Sequence, residues 1–205
     1  MLRNFAIVLT TAILVMGGRS MHAQDPSILK PPPGAHVALI EFADLECPMC
    51  ARENPVLKDA SAKYHVPWVR HDFPLGGAHV WSRQAAVNAR WFDTRSKTLG
   101  DEYRDAVFAS QINIETKDDL RTFTEKFAQQ HGVALPFVMD PQDKLSDLVQ
   151  ADYDLGMRLG VHQTPTVWLV TDGTGGAARY EPVADFNKLY TMLDQALAET
   201  SHGKK

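Results

Sequence analysis

The sequence predicts an α/β fold, with an open sheet whose strand order is interrupted by a block of helices. Three observations carry this prediction. Short runs of apolar and β-branched residues occur at 37–43, 66–73 and 166–170. Between the second and third runs, His79 to Gly160 carries its apolar residues at helical spacing instead. The resulting order is strand, helix, strand, helices, strand, strand, helix, which is the pattern of one α/β sheet with an all-helical insertion. Composition agrees. The 205 residues are enough for one domain or two, and 44% hydrophobic with 22% charged residues is ordinary for a globular chain. Disorder, collagen-like repetition and a coiled coil are excluded as the main architecture. A net charge of −4 argues against general nucleic-acid binding, which needs a basic footprint.

Residues 1–23 read as an address label. Arg3 supplies a positive start, Ala6 to Met16 is an apolar run, and Gly17-Gly18 closes it. That is the pattern of a secretory signal and is too short for a bilayer, which takes about 20 residues. Cleavage after Ala23 is expected, although Met21 is larger than the small residue usual there; a retained anchor is the alternative. Without Arg3 and Arg19 the balance is 19 basic residues against 25 acidic. Residues 24–34, with Pro26 and Pro31-Pro32-Pro33, read as an extended tether, a spacer rather than a docking motif.

The first strand is Val37 to Ala43, broken by Asp44-Leu45-Glu46. A helix from Pro48 to about Tyr64 follows, with Pro48 at the first helical position, where a missing N–H costs nothing. Val66 to Phe73 reads as the second strand and Pro74 to Ala78 as a loop. In the insertion, Trp81, Ala85, Ala89 and Phe92 form one helical stripe, and Tyr103, Val107 and Phe108 predict a short second helix. Thr116 to Asp119 predicts a capping box before Leu120, Phe123 and Phe127. Asp140-Pro141 predicts an N-cap and first-turn pair before Leu145, Leu148 and Val149. Thr166 to Val170 is the third strand, 172–176 a turn, 177–182 a returning strand, and Phe186 to Leu197 a final amphipathic helix. The aromatic and aliphatic stripes, and Trp68, Trp81, Trp91 and Trp168, read as packing.

The chemistry concentrates at Cys47-Pro48-Met49-Cys50, which holds both cysteines of the chain. Cys47 falls at the helix N-cap, where unpaired N–H groups and the helix dipole favour an anion. A thiolate is the nucleophile of disulfide exchange, so that position activates sulfur. Cys50, one turn on, is placed to attack a mixed disulfide formed at Cys47. Two blander readings compete. A purely structural staple across so short a loop contributes only about 2 kcal/mol, against about 3 for fifteen residues. Zinc is poorly served without a second cysteine pair or a close histidine pair, but two thiolates beside Met49 would suit copper(I).

Here the segment Ile40 to Cys50 (IEFADLECPMC) resembles the active-site strand, turn and helix of the thioredoxin superfamily. Glu41 lies six residues before Cys47, where that superfamily often keeps a buried acid. Pro55 lies five after Cys50, where its helix is often kinked. Thr164-Pro165 precedes the third strand, where members carry a cis-proline facing the cysteines. The helical insertion, the export signal, and Asp72-Phe73-Pro74-Leu75 with His79 resemble the DsbA-like branch, over about residues 35–198. The resemblance divides the mature chain into a first thioredoxin half (35–78), the insertion (79–160) and a second half (161–201).

It implies a thiol–disulfide oxidoreductase in which Cys47 exchanges with substrate, Cys50 resolves and Glu41 handles the proton. Thr164 and Pro165 would present backbone to an extended substrate, with Pro48 and Met49 beside them. Burial would raise the Glu41 pKa toward neutrality; a solvent-facing strand-edge carboxylate is the alternative. His79 and His162 fall in loops that the family places near the cysteines. No organic cofactor is expected, because the Cys47–Cys50 pair carries the electrons. Partners implied are cysteine-containing exported proteins and a membrane recycling partner, in the periplasm or cell envelope. No dimerisation domain is visible before Cys47, so a monomer is expected. Oxidation of dithiols is the favoured direction, with reduction or isomerisation as the alternative. Rivals from other classes are a copper(I) delivery module using Cys47 and Cys50, and a noncatalytic chaperone.

The sequence departs from the family in one place. The best-known oxidising members carry His between the proline and the second cysteine, and this chain carries Met49. Asp44 and Glu46 would further oppose a thiolate if they pointed at Cys47. A couple less oxidising than the extreme members is therefore expected.

Overall fold

A computed structural model describes residues 25–201; the expected signal segment 1–23 lies outside the described residues. The seven residues of β1 (Val37–Ala43) are all buried, as an apolar run covered on both faces must be. After the break at 44–46 comes α1 (Pro48–Tyr64), which contains Pro55. Strand β2 (Trp68–Asp72) is shorter than the expected 66–73. The reason is at its entry. His65 is left-handed, Val66 N–H closes the end of α1 on Ser61 O, and Pro67 has no N–H to offer a ladder.

The insertion opens with α2 (Ser82–Asp93) and α3 (Lys97–Ser110) and continues with α4 (Lys117–Gln130). The second of these is a full 14 residues, not the short helix expected. The capping box before α4 forms as expected, with Thr116 and Asp119 bonding each other's backbone. The next start does not. Helix α5 (Lys144–Arg158) begins three residues after Pro141, with left-handed Asp143 at its N-cap. Asp140 instead ends a turn away and reaches forward, its carboxylate accepting from Leu145 and Ser146 N–H at 3.1 and 2.8 Å. The orphan amides are satisfied, but from outside the first turn. Strands β3 (Thr166–Thr171) and β4 (Tyr180–Pro182) form a hairpin, and α6 (Leu189–Ser201) closes the described chain after a 3-10 turn at Phe186–Lys188. The returning strand is half the expected length, because the chain loops through Gly173 and Gly175, both at φ +86°, before pairing.

The sheet order is β2-β1-β3-β4, with β1 parallel to β2 and antiparallel to β3. Alternation along β1 divides the core. Val37 and Leu39 pack with Leu57 and Ala60 of α1 and Leu189 and Leu193 of α6. Ala38, Ile40 and Phe42 face the other way, with Phe73, Leu159 and Val161. Helix α5 lies close on that side, since a Cβ at Gly156 would meet the Phe73 ring at 2.6 Å. It therefore covers the sheet itself, while α2 to α4 gather around a second core that includes Ala43, Leu45 and both cysteines. The segment before β1 is also less free than a spacer: Leu29 is 3% exposed within the same core cluster as Ile40.

Ion pairs fasten the insertion to the sheet. Arg90 of α2 binds Asp72 of β2 and Asp152 of α5, and Arg70 of β2 binds Asp101 and Asp105 of α3. Among the described residues no helix is long and apolar enough to cross a membrane.

Candidate active site

Cys47 is the N-cap of α1, and Pro48 is the first helical residue, as the sequence predicts. Both cysteines are free and buried, at 5% and 0% exposure, while Pro48 and Met49 between them are exposed. The sulfurs sit where the sheet meets the insertion, in one apolar cluster with Trp81, Ala85 and Phe92. The turn before β3 completes the site. The Thr164–Pro165 peptide is cis, and the Cys47 thiol donates to Thr164 O at 3.3 Å.

The two thiols are driven apart. Cys47 is lowered from 9.0 to about 5, chiefly by the Cys50 thiol donating to it; burial opposes, and Thr164 and the amides of Cys50 and Met49 add to the lowering. The amides supply the helix-terminus activation expected from its position, but the Cys50 thiol is the larger cause. Cys50 moves far upward, through burial first, then through its bond to Cys47 and the charge of Glu41. One sulfur is thus a ready thiolate and the other a held thiol.

Glu41, fully buried on the α1 side of β1, is raised from 4.5 to about 7 by burial, with Arg70 and the Trp68 hydrogen bond pulling it back. The strand-edge alternative is excluded. Trp68 does more than pack: its Nε1–H donates to Glu41 Oε2 at 3.0 Å. The sequence carried half of the signal for this: Trp68, two residues before Arg70, shares its face, whereas the pairing of Arg70 with Glu41 across β1 and β2 is set by the folded register.

Asp44 and Glu46 are spoken for elsewhere, so the opposition expected from them is reduced. Asp44 accepts from Glu46 N–H, Leu75 N–H and His79 Nδ1 at 2.7 to 2.8 Å. Glu46 accepts from Val80, Trp81 and Ser82 N–H at 3.1, 2.7 and 2.8 Å, capping α2, which has no cap of its own. Burial pulls the His79 pKa down, but Asp44, Glu46 and Cys47 together raise it. His79 thus belongs to the cysteine surroundings, whereas His162 is exposed. Sequence reasoning passed over Gln111, which donates to the carbonyls of Leu45 and Cys47 at 2.7 and 3.1 Å and steadies the loop from α3's end. Nothing in the local pattern marks it, because the contact spans more than sixty residues.

Comparison with known proteins gives the same frame. A thioredoxin family model matches residues 32–184. The fold is similar to Wolbachia pipientis alpha-DsbA1 (TM-score 0.70, 16% identity, 89% of this chain and 100% of that one). It is also similar to Pseudomonas aeruginosa DsbA2 (TM-score 0.58, 22% identity, 78% and 88%). A third is Proteus mirabilis ScsC in a transitional conformation (TM-score 0.61, 18% identity, 82% and 71%). A Salinispora tropica protein named Na(+)/H(+) antiporter NhaA 3 is 27% identical over 119 residues, 53% of this chain, and the chain spans only 18% of that protein. The chain belongs to the thioredoxin family and carries its DsbA-like fold with a helical insertion.

Proposed function

We propose that this protein is an exported thiol–disulfide oxidoreductase that exchanges disulfides with cysteine-containing proteins through Cys47 and Cys50. One observation supports it above the rest: two cysteines one helical turn apart have opposed thiol acidities, and the acidic one lies against the Thr164 carbonyl of the turn before β3. In the oxidising direction a substrate thiolate attacks Cys47 Sγ of the Cys47–Cys50 disulfide. Cys50 leaves as a thiolate and takes a proton from Glu41. A second substrate thiol then attacks the substrate sulfur of the mixed disulfide, and Cys47 leaves at low pKa. Thr164 and Pro165 align the substrate as an added strand, beside exposed Pro48 and Met49.

A stabilised thiolate stabilises the reduced form, which makes a couple oxidising. The Cys47 value of about 5 lies between the roughly 3.5 of the strongest oxidant of this class and the roughly 7 of thioredoxin. Net oxidation of dithiols is therefore the favoured direction, recharged by a membrane partner in the periplasm or cell envelope. The test is a trap. Cys50→Ala is expected to hold thiol-containing proteins in a mixed disulfide at Cys47, released by dithiothreitol. Absence of that adduct, or its persistence when Cys47 is also replaced, contradicts the reading.

A further inference from the structure

The exchange needs a proton at Cys50, and the surroundings of Glu41 distinguish its two oxygens. Oε2 receives the Trp68 indole N–H at 3.0 Å, while Oε1, also buried, has no hydrogen-bond partner among the described residues. An indole N–H is only ever a donor. The oxygen facing it acts as acceptor in the charged and the neutral acid alike, which leaves the proton of the neutral acid on Oε1. A buried polar atom without a partner calls for a reason, and a proton-transfer role supplies one.

The indole is itself held. The Arg70 guanidinium lies 4.1 Å from the Trp68 ring centroid. Arg70 in turn bonds Asp101 and Asp105 of α3 at 3.0 and 3.3 Å, and Asn54 of α1 at 3.4 Å. A chain of contacts thus runs from the insertion through Arg70 and Trp68 to the carboxyl.

We propose that Trp68 is a positioning residue of the exchange reaction: it fixes Glu41 so that Oε1 alone gives and takes the Cys50 proton, and Arg70 locks the indole from the helical insertion. The proposal rests on the exchange reading above. When the Cys47–Cys50 bond breaks under substrate attack, the Oε1–H proton moves to the departing Cys50 thiolate, leaving a carboxylate. When Cys50 attacks in the reverse step, Oε1 takes the proton back. The charged groups that act on Glu41 are Arg70 from β2, Asp105 from α3, and Cys47 at the start of α1, with Cys50 responding to its charge.

The experiment uses the whole mature protein and Trp68→Phe, which keeps a ring beneath Arg70 and removes the N–H. Infrared difference spectra follow the Glu41 carboxylic C=O band with pH, with Glu41→Gln assigning it. Single-turnover exchange with a dithiol peptide is followed over the same range. Losing a hydrogen bond to the carboxylate moves both midpoints up, by about one pH unit. Unmoved midpoints in a folded Trp68→Phe overturn the proposal. In the wild type, the 15N signal of Trp68 Nε1 is expected to titrate at the Glu41 midpoint, and a signal insensitive to that titration also overturns it. Should the wild type fail to exchange at all, it is the exchange reading that falls, and the infrared and 15N titrations still judge the Trp68–Glu41 contact.

Discussion

Replacing Glu41 by Gln tests the burial of that carboxyl through stability alone. In the folded chain Glu41 holds its proton to about pH 7, and its ordinary value is 4.5. A carboxyl whose folded pKa is raised contributes stability that is complete below 4.5 and is lost as pH climbs through 7. At about 1.4 kcal/mol per pH unit, the loss is on the order of 3 kcal/mol. Cys47 has the opposite sign: lowered to about 5 from 9.0, it adds stability as pH rises from 5 toward 9. Both chains retain Cys47, so its own contribution cancels and the difference reads Glu41 together with its coupling to the two thiols. Gln has the size of Glu, can accept from Trp68 Nε1–H, and never ionises. The expected result is that Glu41→Gln is more stable than wild type by on the order of 3 kcal/mol at pH 8 relative to pH 4. Urea unfolding of both dithiol forms at pH 4, 6 and 8 reads this directly. A difference independent of pH, or one in which the variant loses ground as pH rises, refutes the argument. The expected gain would mark Glu41 as a residue kept for chemistry at a cost in stability.

Met49→His should raise the reduction potential, by about 30 mV if the imidazolium lowers Cys47 by about one unit; an unchanged or lower potential against glutathione contradicts this. Glu46→Ala strips the cap from three amides at the start of α2 and should cost about 1–3 kcal/mol in urea unfolding. A loss under about 0.5 kcal/mol would show that the cap is not needed. Gly156→Ala drives a Cβ to 2.6 Å from the Phe73 ring and should cost about 1–3 kcal/mol. An unchanged urea midpoint there would show that α5 can withdraw freely from the sheet.

What was legible in the sequence was local. The bounds of β1 and α1, Cys47 at the N-cap and the Thr116 capping box depend on neighbouring residues, and each was readable from spacing. The start of α5 was misplaced because Asp140 caps across a turn that no short motif encodes. The destinations of Asp44 and Glu46 were hidden for a related reason: apart from the Glu46 amide on Asp44, their donors lie 31 to 36 residues away, in the loop before α2 and at its first residue. Trp68 lay between these cases. Period-two alternation puts it on the Glu41 face, but the hydrogen bond depends on a strand register that only the folded sheet displays.

Whether Cys47 and Cys50 form a redox couple is measured directly by their equilibrium against a graded glutathione buffer, with thiols counted by alkylation. A two-electron transition is expected between the roughly −120 mV of a strong oxidant and the roughly −270 mV of thioredoxin, nearer the oxidising end. A pair that does not cycle between dithiol and disulfide anywhere in that range would contradict it.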